Sequence, residues 1–540
     1  MPHPISRTAW LVASGDMRDA ANRLCWPTQV DVEARITTAF ADRGVTLRRA
    51  HGDDARRSHG FISGQRMGMD VFAGIPVEAP VVVAISAWQY SHHVLAGLRS
   101  HRGPILTVAN WSGQWPGLVG LLNLNGSLVK AGVRFSTIWS VDFTDALFLR
   151  AIDEWIAGGR ITHDTSHVRP LSAHALPPNA TDLGRTLAQA MTTRKAILGV
   201  FDEGCMGMYN AIIDDELLNP IGMYKERLSQ SALVAEMRGV TSEEAGRIRQ
   251  WLDRKGVRFM TGPDPATDLT DAQVIEQSRM YIAALRMADR FACDAIGIQY
   301  QVGLIDVTPA SDLVEGLLNN VDRPPAFDAA GRELYAGRAL PHFNEVDEGA
   351  GVDAVVTNRC WTALGWDPAT TLHDVRWGEH YSGDGVDAFV WLLQISGAAP
   401  ASHFVNGYAG ASSMRQPAMY FPSGGGSLRG VGRPGPIVWS RVFVEEGQLH
   451  ADIGRGTVVA LPDRETERRW TATTREWPIV HTVLHGVGRD GFMARHRANH
   501  VSIVYAPTPE DADHGLAVKA AMLDALGVRV HLCGVRLGTA

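Results

Sequence analysis

The chain has 540 residues, more than one hydrophobic core accommodates, so about three or four domains of ~150 residues are expected. Hydrophobic residues make up 45% and charged residues 20%, the composition of an ordinary globular protein. A formal net charge of -7 with no long basic run argues against nucleic acid as a partner.

The N-terminal stretch "MPHPISRTAWLVASGD" is too short in apolar residues for a signal peptide, and runs such as "PVVVAISAW" reach less than half a membrane span, so no membrane partner is expected. Over the first ~170 residues, short β-rich runs alternate with helical patterns. "TAWLVASG", "PVVVAISAW", "GPILTVANW" and "FSTIWSVDF" read as buried strands, and "VDVEARITTAFADRG" as a helix stopped by Gly44. That alternation predicts a parallel sheet covered by helices. "VRPLSAHALPPNATDLG", with three prolines and little periodicity, reads as a linker.

A second α/β unit follows. "KAILGVFDEG" is a strand entering a glycine turn. "TSEEAGRIRQWLDRKG" is a helix with a Thr241/Glu244 capping box and a stop at Gly256. "DLTDAQVIEQSRMYIAALRMADRFA" is a longer helix leading to the strand "CDAIGIQYQ". After about Asp353, "GPIVWSRVFVEEGQLHADIGRGTVVALP" shows the short strands and glycine turns of an antiparallel sheet or barrel. The chain closes with the helix "HGLAVKAAMLDALG" and the strand "VRVHLCGV". The expected organisation is α/β throughout. Two Rossmann-like α/β domains with parallel sheets, 1–170 and 171–352, precede a mainly antiparallel, β-barrel-like domain over 353–540.

Five cysteines (Cys25, Cys205, Cys293, Cys360 and Cys533) form no CxxC pair and are odd in number, which points to a reducing cytoplasm rather than a disulfide framework. "GVGRPG" and "GVGRDG" match GxGxxG, but neither opens a helix after a buried strand, so no dinucleotide site is expected. His481/His485 and His496/His500 are spaced i,i+4 without the glutamate of a zinc protease, and packing roles suit most of them. His500 differs, because it stands where the polar loop "RHRAN" becomes the strand "VSIVYA". A metal role for it needs carboxylates alongside. Candidates are Glu315 and Asp312 in "TPASDLVEGLLNN", and Glu345, Asp347, Glu348 and Asp353 in "HFNEVDEGAGVDAVV"; the plain reading of the latter is an acidic loop.

Several blocks then resemble the L-fucose isomerase family of metal-dependent aldose–ketose isomerases, with L-arabinose isomerases more distant. They are "VVVAISAWQYS", "EGCMGMYNAIIDDELLNPIGM", "AIGIQYQVGLIDVTPASDLVEGLLNN", "NEVDEGAGV", "LHDVRW" and "RANHVSIVYAPTPEDADHGLAVKAAMLDALGVRVHLCGV", in family order over nearly the whole chain. The resemblance implies Glu315, Asp347 and His500 as metal ligands, with Glu315 and Asp347 as the catalytic acid and base. It implies Mn²⁺, with Mg²⁺ or Co²⁺ as alternatives, and a homohexamer acting on a small-molecule sugar. Gln299, Gln301, Asn499 and Trp88 are the implied sugar contacts, and Arg23 a weaker one whose alternative is a surface arginine. About eight residues are inserted between the glutamate and aspartate blocks. His481 stands where the family has a second tryptophan, and Ser427 where it has a tyrosine, so a sugar other than L-fucose is expected. The implied reaction moves protons between C1 and C2 and between the two oxygens through an enediol. The alternatives are an epimerase or other enolising enzyme on a modified sugar, or a non-catalytic sugar-binding relative.

Overall fold

The computed structural model describes residues 5–535; residues 1–4, part of the stretch weighed above as a leader, lie outside it, as do residues 536–540. Strands β1 (Thr8–Val12), β2 (Thr46–Arg49), β3 (Val81–Ile85), β4 (Ile105–Asn110) and β5 (Ser136–Ser140) form an all-parallel sheet ordered β2-β1-β3-β4-β5. Every residue of β3 and β5 is buried, as parallel strands covered on both faces require. The chain proceeds to one side after β1 and to the other after β3, so a crevice opens between the ends of these two strands, the usual ligand position in such sheets. Asp16 and Arg18 follow β1 there, and Trp88 follows β3.

The proline-rich segment expected to be a linker is structured instead. Val168–Pro170 is β6, and Pro178–Arg194 is a helix with Pro178 in its first turn, where the missing N–H costs nothing. A Cβ at Gly184 would lie within 2.8 Å of Ala521 and of the Val518 and Met522 backbone, so this helix is pressed against the C-terminal helix Pro509–Ala525.

Strands β7 (Ala196–Phe201), β8 (Met223–Leu228) and β10 (Ala295–Ile298) make a parallel three-stranded sheet, with β9 (Arg258–Phe259) apart from it. The helices Ser242–Arg254 and Asp271–Arg290 both begin with capping boxes, Thr241/Glu244 as expected and Thr270/Gln273 besides. Helix Asp312–Leu318 and helix Glu348–Leu364 follow β10.

The remaining strands are β11 (Thr370–Gly383), β12 (Val386–Gln394), β13 (Ser412–Ser413), β14 (Gly435–Glu445), β15 (Gln448–Val458), β16 (Ile479–Leu484), β17 (His500–Tyr505) and β18 (Arg529–Cys533). β13 pairs with β9; the others, with β6, form one eight-stranded sheet ordered β14-β17-β11-β12-β16-β15-β18-β6, and β14 also pairs with β15. Most of its pairings are antiparallel, but β15–β18 is parallel, so the sheet is mixed. In one rung Asp374 pairs with Gln394 on one side and His500 on the other, which points the three side chains to one face. The register slips between Val375 and Trp377, leaving Arg376 as the extra residue of a bulge.

Tryptophans join the first domain to this sheet: Trp111 Nε1 donates to the Gly378 carbonyl (2.8 Å) and Trp139 Nε1 to Asp490 (2.9 Å). Cys25, Cys293, Cys360 and Cys533 are buried free thiols, and the Cys205 side chain lies outside what the structure describes. Among the described residues, no helix is long and apolar enough to cross a membrane.

Candidate active site

His500 opens β17 with its ring fully buried between acids. Its Nδ1 lies 2.8 Å from Asp347 Oδ2, and its Nε2 faces Asp374 (3.3 Å) and Glu345 (3.8 Å) without a hydrogen bond. Asp347 is the N-cap of the helix Glu348–Leu364, where Oδ1 accepts from the Ala350 N–H (3.0 Å). Its Oδ2 also accepts from Arg441 Nη1 (2.5 Å), a pair with 1% or less of either side chain exposed. Burial alone would raise the Asp347 pKa, but Arg441 and His500 pull it well below the usual carboxylate range. Burial likewise works against a charged His500, yet the hydrogen bond to Asp347 and the charges of Asp374 and Asp347 raise it to about 9.

Glu315 forms a second, adjoining group. Its carboxyl accepts from Ser311 Oγ, lies 3.7 Å from His342 Nδ1, and meets Asn344, whose amide nitrogen turned toward it stands 3.2 Å from Oε1. Burial and the charge of Asp312 push Glu315 well up, and burial carries Asp312 to about 7 and Glu345 to about 8. Glu345, Asp347, Glu348 and Asp353 are all buried, and Glu348 and Asp353 lie in the helix Glu348–Leu364, so the reading of this stretch as an acidic loop is corrected; Asp312 is buried too. Glu348 meets Lys225 (3.1 Å), Asp353 meets Lys519 (2.7 Å), and Glu345 accepts from Gln301 (3.3 Å). Glu345 and Val346 have φ of 56° and 55°, left-handed values that side chains, β-branched ones above all, adopt at a cost of about 1–3 kcal/mol each. The strain is held where the acid turns toward the cavity.

Glu345 and Asp374 form part of the cavity wall with Gln301 and Ser396, while Trp88, Trp477, Tyr420 and Phe421 supply its aromatic side. Arg18 lines it too, paired with Asp16 (2.7 Å) and lying over the Tyr420 ring at 4.7 Å. Asn499 donates to Asp374 (3.3 Å), one step behind the wall, and Gln299 caps the short helix after β10 with its oxygen while its Nε2 has no partner.

Three expected contacts lie elsewhere. Arg23 is exposed on the helix Asp19–Ala41, because the residue that reaches the cavity is the one before that helix, Arg18. Ser427 is buried and donates to the Glu476 carbonyl (2.9 Å). His481 pairs with Leu392 inside the sheet, where burial lowers its pKa to about 3 with Arg469 nearby. Neither lines the cavity, whose aromatic side is formed by Trp88, Tyr420, Phe421 and Trp477. His496 stacks on Phe492 (4.6 Å) and meets the His500 carbonyl (2.9 Å), a packing role. Arg18 was discoverable as the polar residue just past the first strand of a parallel sheet, and Asp374 as an acid in the "LHDVRW" strand; Arg441, inside an apolar strand, carried no local signal.

A sheet crevice here faces a rung of acid, amide and imidazole, convergent polar groups of the kind that mark a candidate active site. Residues 395–531 match the family model for the L-fucose isomerase C-terminal domain, which supports membership of the L-fucose isomerase-like family and an isomerase-like enzyme. The match includes Tyr420, Arg441, Trp477 and His500; Glu315, Glu345 and Asp347 lie before it. No curated protein matches the chain.

Members of that family imply a metal. The donor chemistry here fits one: hard carboxyl oxygens with one imidazole whose buried Nε2 makes no hydrogen bond, and, in the Glu315 group, an Asp312 Oδ2 that makes none either. As they stand, Glu315 and the Asp347–His500 pair belong to two neighbouring groups, and no three His, Cys, Asp or Glu side chains among the described residues are gathered closely enough to hold an ion.

Proposed function

We propose that this protein is a divalent-metal-dependent aldose–ketose isomerase of a free pentose or hexose, working in the cytoplasm as a homohexamer. The observation that carries the reading is the imidazole of His500 set among buried acids within and beside the matched isomerase segment. Glu315, Asp347 and His500 would hold the ion. When bound, a divalent cation, Mn²⁺ with Mg²⁺ or Co²⁺ as alternatives, supplies positive charge against the two substrate oxygens as a proton leaves carbon.

The protein's own part is the proton traffic. Without the ion, Arg441 and His500 hold Asp347 well below the usual carboxylate range while burial and Asp312 raise Glu315; a bound cation would require both carboxyls ionised and His500 neutral, and the two carboxyls would then serve as acid and base. Gln301 steadies Glu345 at the wall, and Trp88, Tyr420 and Trp477 exclude water around the sugar chain.

The test is a panel of aldoses and ketoses followed by NMR in D₂O. Interconversion with solvent deuterium at C2, lost on chelation and restored by Mn²⁺, is the expected result. Full turnover in a demonstrably metal-free preparation, or epimer formation without the ketose, would overturn it.

A further inference from the structure

The helix Gly117–Lys130 is apolar and buried along nearly its whole length, yet it carries Asn123 with no exposed surface. A buried amide is costly unless it is hydrogen-bonded, so its partners say what it is for. Gly117, Gly120, Asn123 and Gly126 follow one another at three-residue spacing, each beside the next on the helix surface. A Cβ at Gly117 would stand 2.9 Å from the Ser86 backbone, and one at Gly120 would stand 2.5 Å from the Ala87 carbonyl. The helix is therefore pressed onto the turn after β3 that carries Trp88. At Gly126 a Cβ would meet the Arg497 carbonyl, in the loop before His500, and Asn210 (3.1 Å). One helix thus touches the Trp88 turn at its start and the His500 loop further on, with Asn123 between them.

Asn123 ties the two sides together. Its Nδ2 donates to the carbonyl of Gln89, next to Trp88 (2.6 Å), and its Oδ1 accepts from Asn210 Nδ2 (2.8 Å). Asn210 Oδ1 takes a long contact from Arg441 Nη2 (3.5 Å), while Arg441 Nη1 holds Asp347, the partner of His500. The direction is dictated from both ends. A guanidinium only donates and a carbonyl only accepts, so both amides turn their oxygens toward Arg441 and their nitrogens toward Gln89. Each bond then polarises the next in the same sense. Gln89, Asn123, Asn210 and Arg441 are each 2% exposed or less. Apolar packing would hold these parts of the chain together without fixing their offset, whereas a directional chain of buried bonds fixes it.

Building on the isomerase reading, we propose that Asn123 and Asn210 are positioning residues. They set Trp88, in the cavity wall, at a fixed separation from the Asp347–His500 pair, so that a sugar lying against the indole has its reacting carbons at the acids.

The test compares the full-length wild type with Asn123→Leu, a change of similar volume that removes both bonds. In crystal structures the Trp88 ring should shift by ~1 Å or more while the first parallel sheet stays in place, a misplacement on the scale that costs up to about 100-fold in turnover. On the sugar of the aldose–ketose panel that wild type isomerises fastest, kcat/KM should fall ~10-fold or more. Starting from Trp88→Phe, the same change should cost ~2-fold or less, because the wall it positions is already altered. A structural role alone would lower the melting temperature and leave the ring and the kcat/KM of the folded protein as they were. An unmoved Trp88 overturns the proposal, and so does a loss of equal size in both backgrounds. Asn210→Ser breaks the chain at its middle and replaces Asn123→Leu if that variant does not fold. If wild type isomerises nothing in the panel, the isomerase reading fails, and the position of Trp88 alone decides the proposal.

Discussion

Replacing Arg441 by methionine isolates one buried ion pair. The side chains of Arg441 and Asp347 are 1% and 0% exposed and 2.5 Å apart, and methionine keeps most of the volume while removing the charge. Asp347 would then remain buried with only His500 and the Ala350 N–H as partners. Breaking such a pair from one side costs about 3–5 kcal/mol, because the remaining charge is uncompensated. The assay is calorimetric melting of metal-free protein, with Asp347→Asn and the double variant completing a cycle. The double variant should be more stable than Arg441→Met alone, since it also removes the orphaned charge and keeps an N-cap oxygen. The pH dependence follows from the sign of the shift. In wild type the folded Asp347 pKa is depressed, so its stabilisation is complete above the unfolded value of about 3.9 and is lost only as pH falls through the folded one. In Arg441→Met, burial prevails and the folded pKa rises, so acidification favours the variant and the gap between the two proteins narrows below pH 7. A double variant as unstable as the sum of the singles, or a gap that widens on acidification, would refute this account.

His481→Trp tests where that histidine points. A larger ring in a fully buried site should destabilise by about 1–3 kcal/mol in a melt while leaving the ranking of bound sugars unchanged; a changed ranking would return His481 to the wall. Gly126→Ala tests the support of the "RHRAN" loop: a Cβ there would stand 2.1 Å from the Arg497 carbonyl, so the loop must shift. Both the melting temperature and sugar affinity measured by calorimetry should fall, and unchanged affinity would show that the loop does not position His500.

Much of the frame was legible. The parallel first sheet, the Thr241 capping box and the β14–β15 pair follow from local patterns of burial, caps and glycine turns, which the backbone reads over a few residues. The linker was misread for the converse reason: prolines at 177 and 178 look like breakers until one opens a helix, and what orders that helix is packing against a helix more than 300 residues away. At the site, residues carried by a motif were easier to place than residues defined by a pairing. Asp374 and His500 face each other only because β11 and β17 are neighbours, and Arg441 meets Asp347 only across domains. His481 and Ser427 were chosen because they differ from the family pattern, but a difference at an aligned position says nothing about which way a strand residue points, and a one-residue change of face suffices to remove it from the cavity.

The construction has a physical consequence for how the site is made. Glu315 and Asp347 come from the middle of the chain, Arg18 and Trp88 from the first sheet, and Asp374 and His500 from the mixed sheet. The charged groups among them are costly alone in an apolar interior: Asp347 is paired by Arg441 and His500 from the mixed sheet, while burial raises Glu315 and Glu345. The acids therefore oppose docking of the domains until their partners arrive, and a bound cation would remove much of that opposition. Stability and metal affinity are then linked, since an ion that binds only the docked form adds its binding free energy to folding.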